Sequence, residues 1–169
     1  MSEAIQSHVQ ILPIAEEHIE SYHKCLDSVA RERLYLAFVE APPLDSSKAF
    51  VLSNIVNDLP QFVAVIDGEV IGWCDISPLK QEGFRHRGEL AMGIHKRFRG
   101  MGIGRQLIAS AIRKGKEKGL ERIEIEVYAS NVSAVRFYEH MGFVTEGIKR
   151  KARKIDGNYD DIVEMVLFV

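Results

Sequence analysis

The sequence predicts a mixed α/β domain whose elements follow the order βααβββαβαββ. Three observations support this prediction: segments of alternating polarity, two strand pairs that flank Asp-Gly turns, and a glycine-rich turn between a strand and an amphipathic helix. The chain has 169 residues, which is the size of one domain, and it contains no internal repeat. We therefore interpret residues 1–169 as a single domain.

The first half of the chain is predicted to contain a strand, two helices and a hairpin. Apolar residues at helical spacing follow the first strand and predict a helix. Pro42-Pro43 ends whatever helix precedes it, because proline lacks the amide hydrogen. Asp67-Gly68 tolerates positive φ, so the segments on either side form a hairpin. The predicted elements are a strand at His8–Ile14, helices at Ala15–Arg33 and Ser46–Asn57, and strands at Gln61–Ile66 and Glu69–Ile76.

The second half is predicted to alternate strands with helices and to close with a second hairpin. Gly119 ends the helix that follows the glycine-rich turn, and Asn131 suits the N-cap of the next helix. Asp156-Gly157-Asn158 forms the final turn. The predicted elements are a strand at Glu89–His95, a helix from Ile103, a strand at Arg122–Ala129, a helix after Asn131, and strands at Phe143–Lys154 and Tyr159–Val169.

Charge and composition argue against several functional classes. Lys plus Arg number 22 and Asp plus Glu number 24, whereas a dedicated nucleic-acid or membrane-surface protein needs a basic excess. The two cysteines are isolated and the six histidines show no paired ligand motif, so we predict no disulfide framework and no metal. Met1–Gln6 lacks the layout of a signal peptide, and no apolar run reaches the length of a membrane span. We expect a cytoplasmic protein.

The glycine-rich segment Arg99–Gly104 is a candidate site for a diphosphate. The start of a helix leaves backbone amide hydrogens unpaired, and glycines let an anion approach them closely. Nearby cations are Lys96, Arg97, Arg99 and Arg105. A Walker loop is excluded because Glu117 follows Gly115-Lys116, and a dinucleotide fingerprint is excluded because Leu107 replaces its third glycine. A tight turn without a ligand is the alternative interpretation.

Two signatures resemble those of the GNAT superfamily of N-acetyltransferases. Arg99-x-x-Gly102-x-Gly104 matches the Q/R-x-x-G-x-G/A motif of that family, and Glu89–Ile94 resembles the strand that precedes it. Asn131-x-x-Ala134-x-x-x-Tyr138-x-x-x-Gly142-Phe143 resembles the second signature. The resemblance covers roughly Ile66–Val169, and earlier residues match only in element order. It implies a mostly antiparallel sheet of six to seven strands flanked by about four helices.

The resemblance also implies acetyl-CoA as the cofactor. The diphosphate would bind backbone amides around Met101–Arg105, and the pantetheine arm would lie where Met92–Ile94 and Val127–Ala129 separate. The backbone amide of Ile94 would stabilise the oxyanion, and Asn131 would contact the pantetheine arm or the reacting groups while also capping its helix. The implied cofactor-binding residues are Met92, Ile94, Arg99, Gly100, Met101, Gly102, Ile103, Gly104, Arg105, Asn131 and Tyr138.

Acetyl transfer to an amine requires a base for the ammonium group, whose reference pKa is about 10.4, and a proton donor for the leaving thiolate. The resemblance assigns the donor to Tyr138, whereas helical spacing alone would make it a core residue. Glu89 is the candidate base, with an ordinary surface carboxylate as the alternative. We expect Glu124 and Glu126 to be solvated or paired, although they could hold a water or a cationic substrate.

We expect the acceptor to be the primary amine of a small, amino-acid-like metabolite. The segment Tyr35–Ser47 is apolar near its start, and such loops cover the acceptor pocket in relatives. The alternatives are a protein N-terminus or lysine, a polyamine, and a non-catalytic acyl-CoA sensor. A polyamine pocket would place Glu89, Glu124 and Glu126 around the acetyl group.

The basic run 149–154 suits either solvated edge charges or binding of an acidic group. The apolar final strand suits a homodimer interface or burial within the monomer.

Overall fold

A computed structural model describes residues 8–169 and contains the predicted elements in the predicted order. The prediction for Met1–Gln6 lies outside these residues. The strands are β1 (Gln10–Pro13), β2 (Gln61–Ile66), β3 (Glu69–Pro78), β4 (Arg87–Ile94), β5 (Arg122–Tyr128), β6 (Val144–Ile155) and β7 (Asn158–Phe168). The helices are α1 (Ile19–Ala30), α2 (Leu44–Val56), α3 (Ile103–Glu117) and α4 (Val132–His140).

The seven strands form one sheet in the order β1-β2-β3-β4-β5-β7-β6. Every neighbouring pair is antiparallel except β4 and β5, which are parallel. The expectation of a mostly antiparallel sheet with about four helices is therefore confirmed. The parallel pair lies in the middle of the sheet, where α3 provides the crossover that parallel strands require.

The two predicted hairpin turns are present, and each uses positive φ at two consecutive residues. Asp67 and Gly68 have φ of 49° and 80°, and Asp156 and Gly157 have the same two values. These angles are typical of type I′ turns, whose twist matches that of the flanking strands. The sequence chemistry of Asp-Gly thus fixes the register of both hairpins.

Some element boundaries differ from the predictions. The first helical segment begins with a 3₁₀ turn at Glu16–His18 and ends at Ala30, before Arg33, whose φ of 60° cannot continue a helix. The strands β3 and β4 extend towards each other, because Pro78 pairs with Gly88 in register. The loop that connects them is consequently shorter than the sequence suggested.

Each face of the sheet carries its own hydrophobic core. Helices α3 and α4 pack on one face, where Ile76 of β3 and Leu90 of β4 are buried. Helices α1 and α2 pack on the other face around Trp73 of β3. Because successive side chains of a strand point to opposite faces, β3 contributes to both cores, Ile76 to one and Trp73 to the other. The centre of the sheet is thereby held from both sides.

Burial within the monomer explains why the final strand is apolar. Strand β7 lies between β5 and β6, and its residues Val163, Met165 and Val166 are buried. The outer strand on this side is β6, which carries the whole basic run 149–154. A homodimer remains a prediction, and β7 does not supply an edge for it.

Candidate active site

Strands β4 and β5 pair at three positions and then separate. The paired residues are Arg87 with Arg122, Gly88 with Ile123, and Glu89 with Glu124. Strand β4 continues to Ile94 and β5 to Tyr128, but the two strands no longer contact each other by backbone hydrogen bonds. The structure therefore contains the separation of strands that the family resemblance implied, and it opens a gap through the middle of the sheet.

A cavity of about 610 Å³ occupies this gap. The start of α3 bounds it on one face of the sheet, and the loop 31–43 between α1 and α2 bounds it on the other through Tyr35, Leu36 and Ala37. Most of the predicted cofactor residues line it together: Met92, Ile94, Arg99, Gly100, Gly102, Ile103, Gly104, Arg105, Asn131 and Tyr138. The cavity thus connects the two faces of the sheet at one point.

Two predicted site residues lie outside the cavity lining. The side chain of Met101 packs against the core beneath α3 and α4 instead of lining the cavity. Glu89 occupies the last paired position of β4, at the closed end of the gap, and its side chain is exposed. Any role of Met101 in the site must therefore come from its backbone, and any role of Glu89 must reach across the end of the gap.

The start of α3 has the geometry of an anion site. Gly100 and Gly102 have φ of 75° and 77°, a conformation that glycine adopts at little cost. The amide hydrogens of Ile103, Gly104 and Arg105 begin the helix, so they have no acceptor within it and carry the positive end of its dipole. A Cβ on Gly104 would lie 3.3 Å from Cδ1 of Ile94, so glycine allows the helix start to approach β4 closely. Ile103, Gly104 and Arg105 all line the cavity.

The backbone N–H of Ile94 is directed into the gap. The next amide, that of His95, donates to the carbonyl of Ile71 at 2.9 Å, towards β3. Because successive backbone groups of a strand point in opposite directions, the N–H of Ile94 points away from β3 and towards the separated β5. A donor in this position can bind an oxygen that gains negative charge in the cavity.

Tyr138 combines core packing with access to the cavity. Its side chain is buried, at 5% exposure, and its ring packs edge-on against Phe137 and Phe143, with centroids 5.2 and 5.5 Å away. Burial raises the pKa of Tyr138 well above its ordinary value, so the hydroxyl keeps its proton. Within residues 8–169 this hydroxyl forms no hydrogen bond, and the residue lines the cavity. Tyr138 is therefore a core residue, as helical spacing indicates, and it also lies where a proton donor would reach the cavity, as the resemblance implies.

Asn131 caps α4, as the sequence predicted. Its Oδ1 accepts from the backbone N–H of Ala134 at 3.3 Å, a contact typical of an N-cap. The residue also lines the cavity, and the cap occupies only the oxygen of the side-chain amide. The Nδ2 group can therefore donate a hydrogen bond to a molecule in the gap.

Arg99 lines the cavity but its charge is already paired. Its guanidinium forms two hydrogen bonds to the carboxylate of Glu32, at 2.5 and 2.9 Å, and Nε donates to the carbonyl of Ile94 at 2.9 Å. The guanidinium carbon also lies 4.7 Å from the ring centroid of Tyr35. The sequence could not reveal this arrangement, because Glu32 is 67 residues away from Arg99 along the chain.

The carboxylates around the closed end of the gap differ in their partners. Glu124 accepts hydrogen bonds from Arg87 and Arg122, which hold its pKa below the ordinary value. Glu126 pairs with Lys149 at 2.5 Å. Glu89 forms no ion pair with any side chain in the described part of the protein. The expectation of paired charges is thus confirmed for Glu124 and Glu126.

These three glutamates line a second cavity of about 390 Å³ beside the first. Glu126 lines both cavities, whereas Glu89 and Glu124 line only the second. The arrangement required by a polyamine pocket, with all three carboxylates around one reacting centre, is therefore not formed. Of these three carboxylates, Glu89 is the one that forms no ion pair within residues 8–169.

Several residues of the cavity were not identified from the sequence. Tyr128 ends β5 and Phe137 is part of α4, and both line the gap. Tyr128 is covered by Arg153 of β6, whose guanidinium carbon lies 4.2 Å from the ring centroid. The sequence of β5 could have identified Tyr128, because Glu124, Glu126 and Tyr128 occupy alternate positions of the strand and so share one face.

The described residues contain neither a metal-ligand cluster nor a membrane-spanning helix. Across residues 8–169, no group of three or more His, Cys, Asp or Glu side chains could hold a metal ion. None of the helices in that range is long and apolar enough to cross a membrane.

The solved structures that resemble this chain are acetyltransferases of one fold. A GNAT-family acetyltransferase from Streptococcus pneumoniae superposes with a TM-score of 0.89 and 23% identity, covering 95% of this chain and 99% of that chain. The putative acetyltransferase yncA from Salmonella typhimurium, solved with acetyl-CoA, gives a TM-score of 0.88 and 17% identity, over 95% of this chain and 94% of that one. These likenesses establish the fold.

Sequence comparison gives relatives in the same family. The L-amino acid N-acetyltransferase AaaT of Escherichia coli is 28% identical over 63% of this chain and 67% of its own length. The chain spans about half to two thirds of the length of the first curated relatives that it matches. The sequence profile described as "Acetyltransferase (GNAT) family" matches residues 21–143, most of the chain and all of the separated strand pair. This chain is a member of the GNAT family of acetyltransferases.

Proposed function

We propose that the protein transfers an acetyl group from acetyl-CoA directly to the primary amine of a small, amino-acid-like molecule. One observation carries the proposal: the gap between β4 and β5 opens on one face at the unpaired amides of α3 and on the other face beneath the loop 31–43. A donor and an acceptor can therefore enter from opposite sides and meet beside Ile94. Such an arrangement allows direct transfer without a covalent enzyme intermediate.

Acetyl-CoA is the acetyl donor of this family and supplies the acetyl group as an activated thioester. The residues present fit it. The amides of Ile103, Gly104 and Arg105 can bind a diphosphate, and a Cβ on Gly100 would meet no atom within 4 Å, which leaves the turn open to a ligand. The gap along Met92 and Asn131 is lined by an apolar side chain and an amide, which suits a narrow pantetheine arm.

The chain supplies a hydrogen-bond donor on each side of the reacting carbonyl. The N–H of Ile94 stabilises the oxygen that gains negative charge, and it is fixed in advance by the strand. The hydroxyl of Tyr138 donates its proton to the leaving sulfur. Burial raises the pKa of Tyr138, so the hydroxyl holds its proton until the sulfur becomes anionic, and the tyrosinate left by the transfer regains a proton from water.

Glu89 is the proposed base for the ammonium group. The carboxylates of Glu124 and Glu126 are neutralised by cations, and Glu89 is not. Glu89 lies on the same face of β4 as Ala91 and Gly93, which line the first cavity on the acceptor side. A water at the closed end of the gap can carry the proton from the amine to this carboxylate.

The acceptor side suits a small molecule with an apolar group and a carboxylate. Tyr35 and Leu36 provide apolar walls, and Arg153 beside Tyr128 provides a cation that forms no ion pair with a carboxylate in residues 8–169. Two relatives, AaaT and the L-amino acid N-acyltransferase MnaT of Escherichia coli, are named for amino-acid acceptors, and MnaT is 23% identical over 73% of this chain. These observations favour an amino acid over a polyamine.

The test is thiol release from acetyl-CoA with L-leucine, 3-methylbutylamine, spermidine and a peptide with a free N-terminus. We expect the fastest release with L-leucine. Glu89→Gln should lower kcat by about a hundredfold, which is the range of a lost general base, while the matched variant Glu126→Gln should lower it less than about threefold. Tight binding of acetyl-CoA without thiol release from any amine would instead support a sensor. Fastest release with the peptide would support a protein N-terminus as the acceptor.

A further inference from the structure

The side chain of Arg99 joins three parts of the site that are distant in sequence. It contacts the carbonyl at the end of β4, through Ile94, and two residues of the loop 31–43, Glu32 and Tyr35. The family resemblance implied that Arg99 binds the cofactor. Its contacts point instead towards the acceptor side of the gap.

The pairing with Glu32 leaves little positive charge for a diphosphate. The two side chains form a bidentate ion pair, and their exposed fractions are 33% for Arg99 and 22% for Glu32. A partly buried pair of this geometry is stronger than an exposed one, because fewer water molecules compete with it. The cavity lining retains Arg105 as a cation at the start of α3, on the cofactor side.

The loop 31–43 is held over the gap at several points. Arg33 contacts Asp156 and Arg153, and the N–H of Ala41 donates to Asp27, but the Arg99 contact is the one made by Glu32 and Tyr35. The loop contains no helix or strand between α1 and α2, yet Tyr35, Leu36 and Ala37 form the wall of the cavity. Arg99 holds the start of this segment through Glu32 and covers the ring of Tyr35. Loss of the ion pair would therefore loosen the wall without removing any group that lines it.

The same guanidinium fixes the end of β4. The peptide between Ile94 and His95 is held at both ends, since its carbonyl accepts from Nε of Arg99 and its N–H donates to Ile71. This peptide adjoins the N–H of Ile94 that faces the gap. Arg99 thus restrains both the acceptor wall and the strand that carries the proposed oxyanion donor.

We propose that Arg99 is a positioning residue for the acceptor and not a ligand of the diphosphate. Through Glu32 and Tyr35 it holds the loop 31–43 over the gap, and through the Ile94 carbonyl it fixes the end of β4. The inference rests on the proposed function, because it concerns the acceptor of that reaction.

The first test removes the ion pair and keeps Arg99. Glu32→Gln should raise KM for L-leucine by about tenfold and leave KM for acetyl-CoA within about twofold. The matched control is Glu40→Gln, which removes the same charge from the same loop and affects only an exposed pair with Arg31. The control should leave both constants unchanged. Equal behaviour of the two variants would overturn the proposal.

The second test replaces the guanidinium. Arg99→Lys loses the bidentate pair and the bond to Ile94, so it should raise KM for L-leucine and also lower kcat by about tenfold. A rise in KM for acetyl-CoA with no change for L-leucine would show that Arg99 serves the diphosphate and would overturn the proposal. If Arg99→Lys does not fold, Glu32→Gln alone decides.

Hydrogen exchange gives a readout that does not require turnover. In Glu32→Gln, backbone amides of residues 32–37 should exchange at least about fivefold faster than in the unmodified protein and in Glu40→Gln. Unchanged exchange would overturn the proposal. If no amine supports thiol release, the proposed function fails, and this measurement still decides whether Arg99 holds the loop.

Discussion

The ring of Trp73 lies against the backbone of Gly93, on the neighbouring strand. A Cβ on Gly93 would be only 2.3 Å from Cη2 of Trp73 and 2.6 Å from Cζ3, closer than real carbon atoms approach. Trp73 is buried, and its ring is also packed edge-on against Tyr22 of α1. The indole therefore cannot move aside, and glycine is required where β4 lines the gap.

Gly93→Ala should destabilise the protein. The added methyl group forces the indole or the end of β4 to move, which costs about 1–3 kcal/mol in a packed core. Urea unfolding measures the change in free energy. The control is Gly83→Ala, because a Cβ there meets nothing within 4 Å and should change stability by less than about 0.5 kcal/mol. Equal stability of the two variants would contradict the described packing.

Tyr138→Phe should lower kcat without unfolding the protein. The ring retains its contacts with Phe137 and Phe143, and the hydroxyl has no hydrogen bond to lose within residues 8–169. We expect kcat to fall about a hundredfold and stability to change by less than about 1 kcal/mol. Tyr159→Phe, which alters an exposed hydroxyl on β7, should leave kcat unchanged. An unchanged kcat for Tyr138→Phe would remove this residue from the mechanism.

Asp75 makes the stability of the protein depend on pH. Its carboxylate is 5% exposed and has no hydrogen bond or ion pair within residues 8–169, and burial raises its pKa from 3.8 to about 7. At pH values between 3.8 and about 7, the Asp75 carboxyl is ionised in the unfolded chain but protonated in the folded protein. The contribution of Asp75 to stability therefore falls as the pH rises, by at most about 1.4 kcal/mol per pH unit. Above the raised pKa this contribution is lost.

The stability of Asp75→Asn relative to the unmodified protein should therefore increase with pH. Relative to the unmodified protein, the variant should gain about 2–3 kcal/mol in unfolding free energy between about pH 5 and about pH 8. Urea unfolding at both pH values provides the measurement. A difference between the two proteins that does not vary with pH would show that Asp75 titrates near its ordinary value.

The fold was predictable from local chemistry, whereas the contacts of the site were not. Asp67-Gly68 and Asp156-Gly157 specify both hairpins, and the glycines before Ile103 mark the start of α3, so the element order follows from neighbours in sequence. The family resemblance assigned Arg99 to the cofactor, and its ion pair with Glu32, 67 residues away along the chain, is visible only in three dimensions. A charged residue such as Asp75 is also not expected in a core, because sequence patterns assign polar residues to the surface.

Arg153→Gln should reduce activity selectively for acceptors that carry a carboxylate. We expect kcat/KM to fall about tenfold for L-leucine and less than about twofold for 3-methylbutylamine, which has the same side chain but no carboxylate. Steady-state kinetics with both amines provides the comparison. Lys154→Gln is the control, since Lys154 on the same strand lies over Tyr159, away from the cavity. Equal losses for the two amines would exclude Arg153 as the carboxylate partner.

Binding of acetyl-CoA at the start of α3 is the claim on which the whole account depends, and an amide NMR titration tests it directly. On addition of acetyl-CoA, the backbone amide signals of Ile103, Gly104 and Arg105 should move downfield by more than those elsewhere in α3, because each gains a charged acceptor. Saturable binding that leaves these three amides unchanged, or the absence of binding at millimolar acetyl-CoA, would contradict the account.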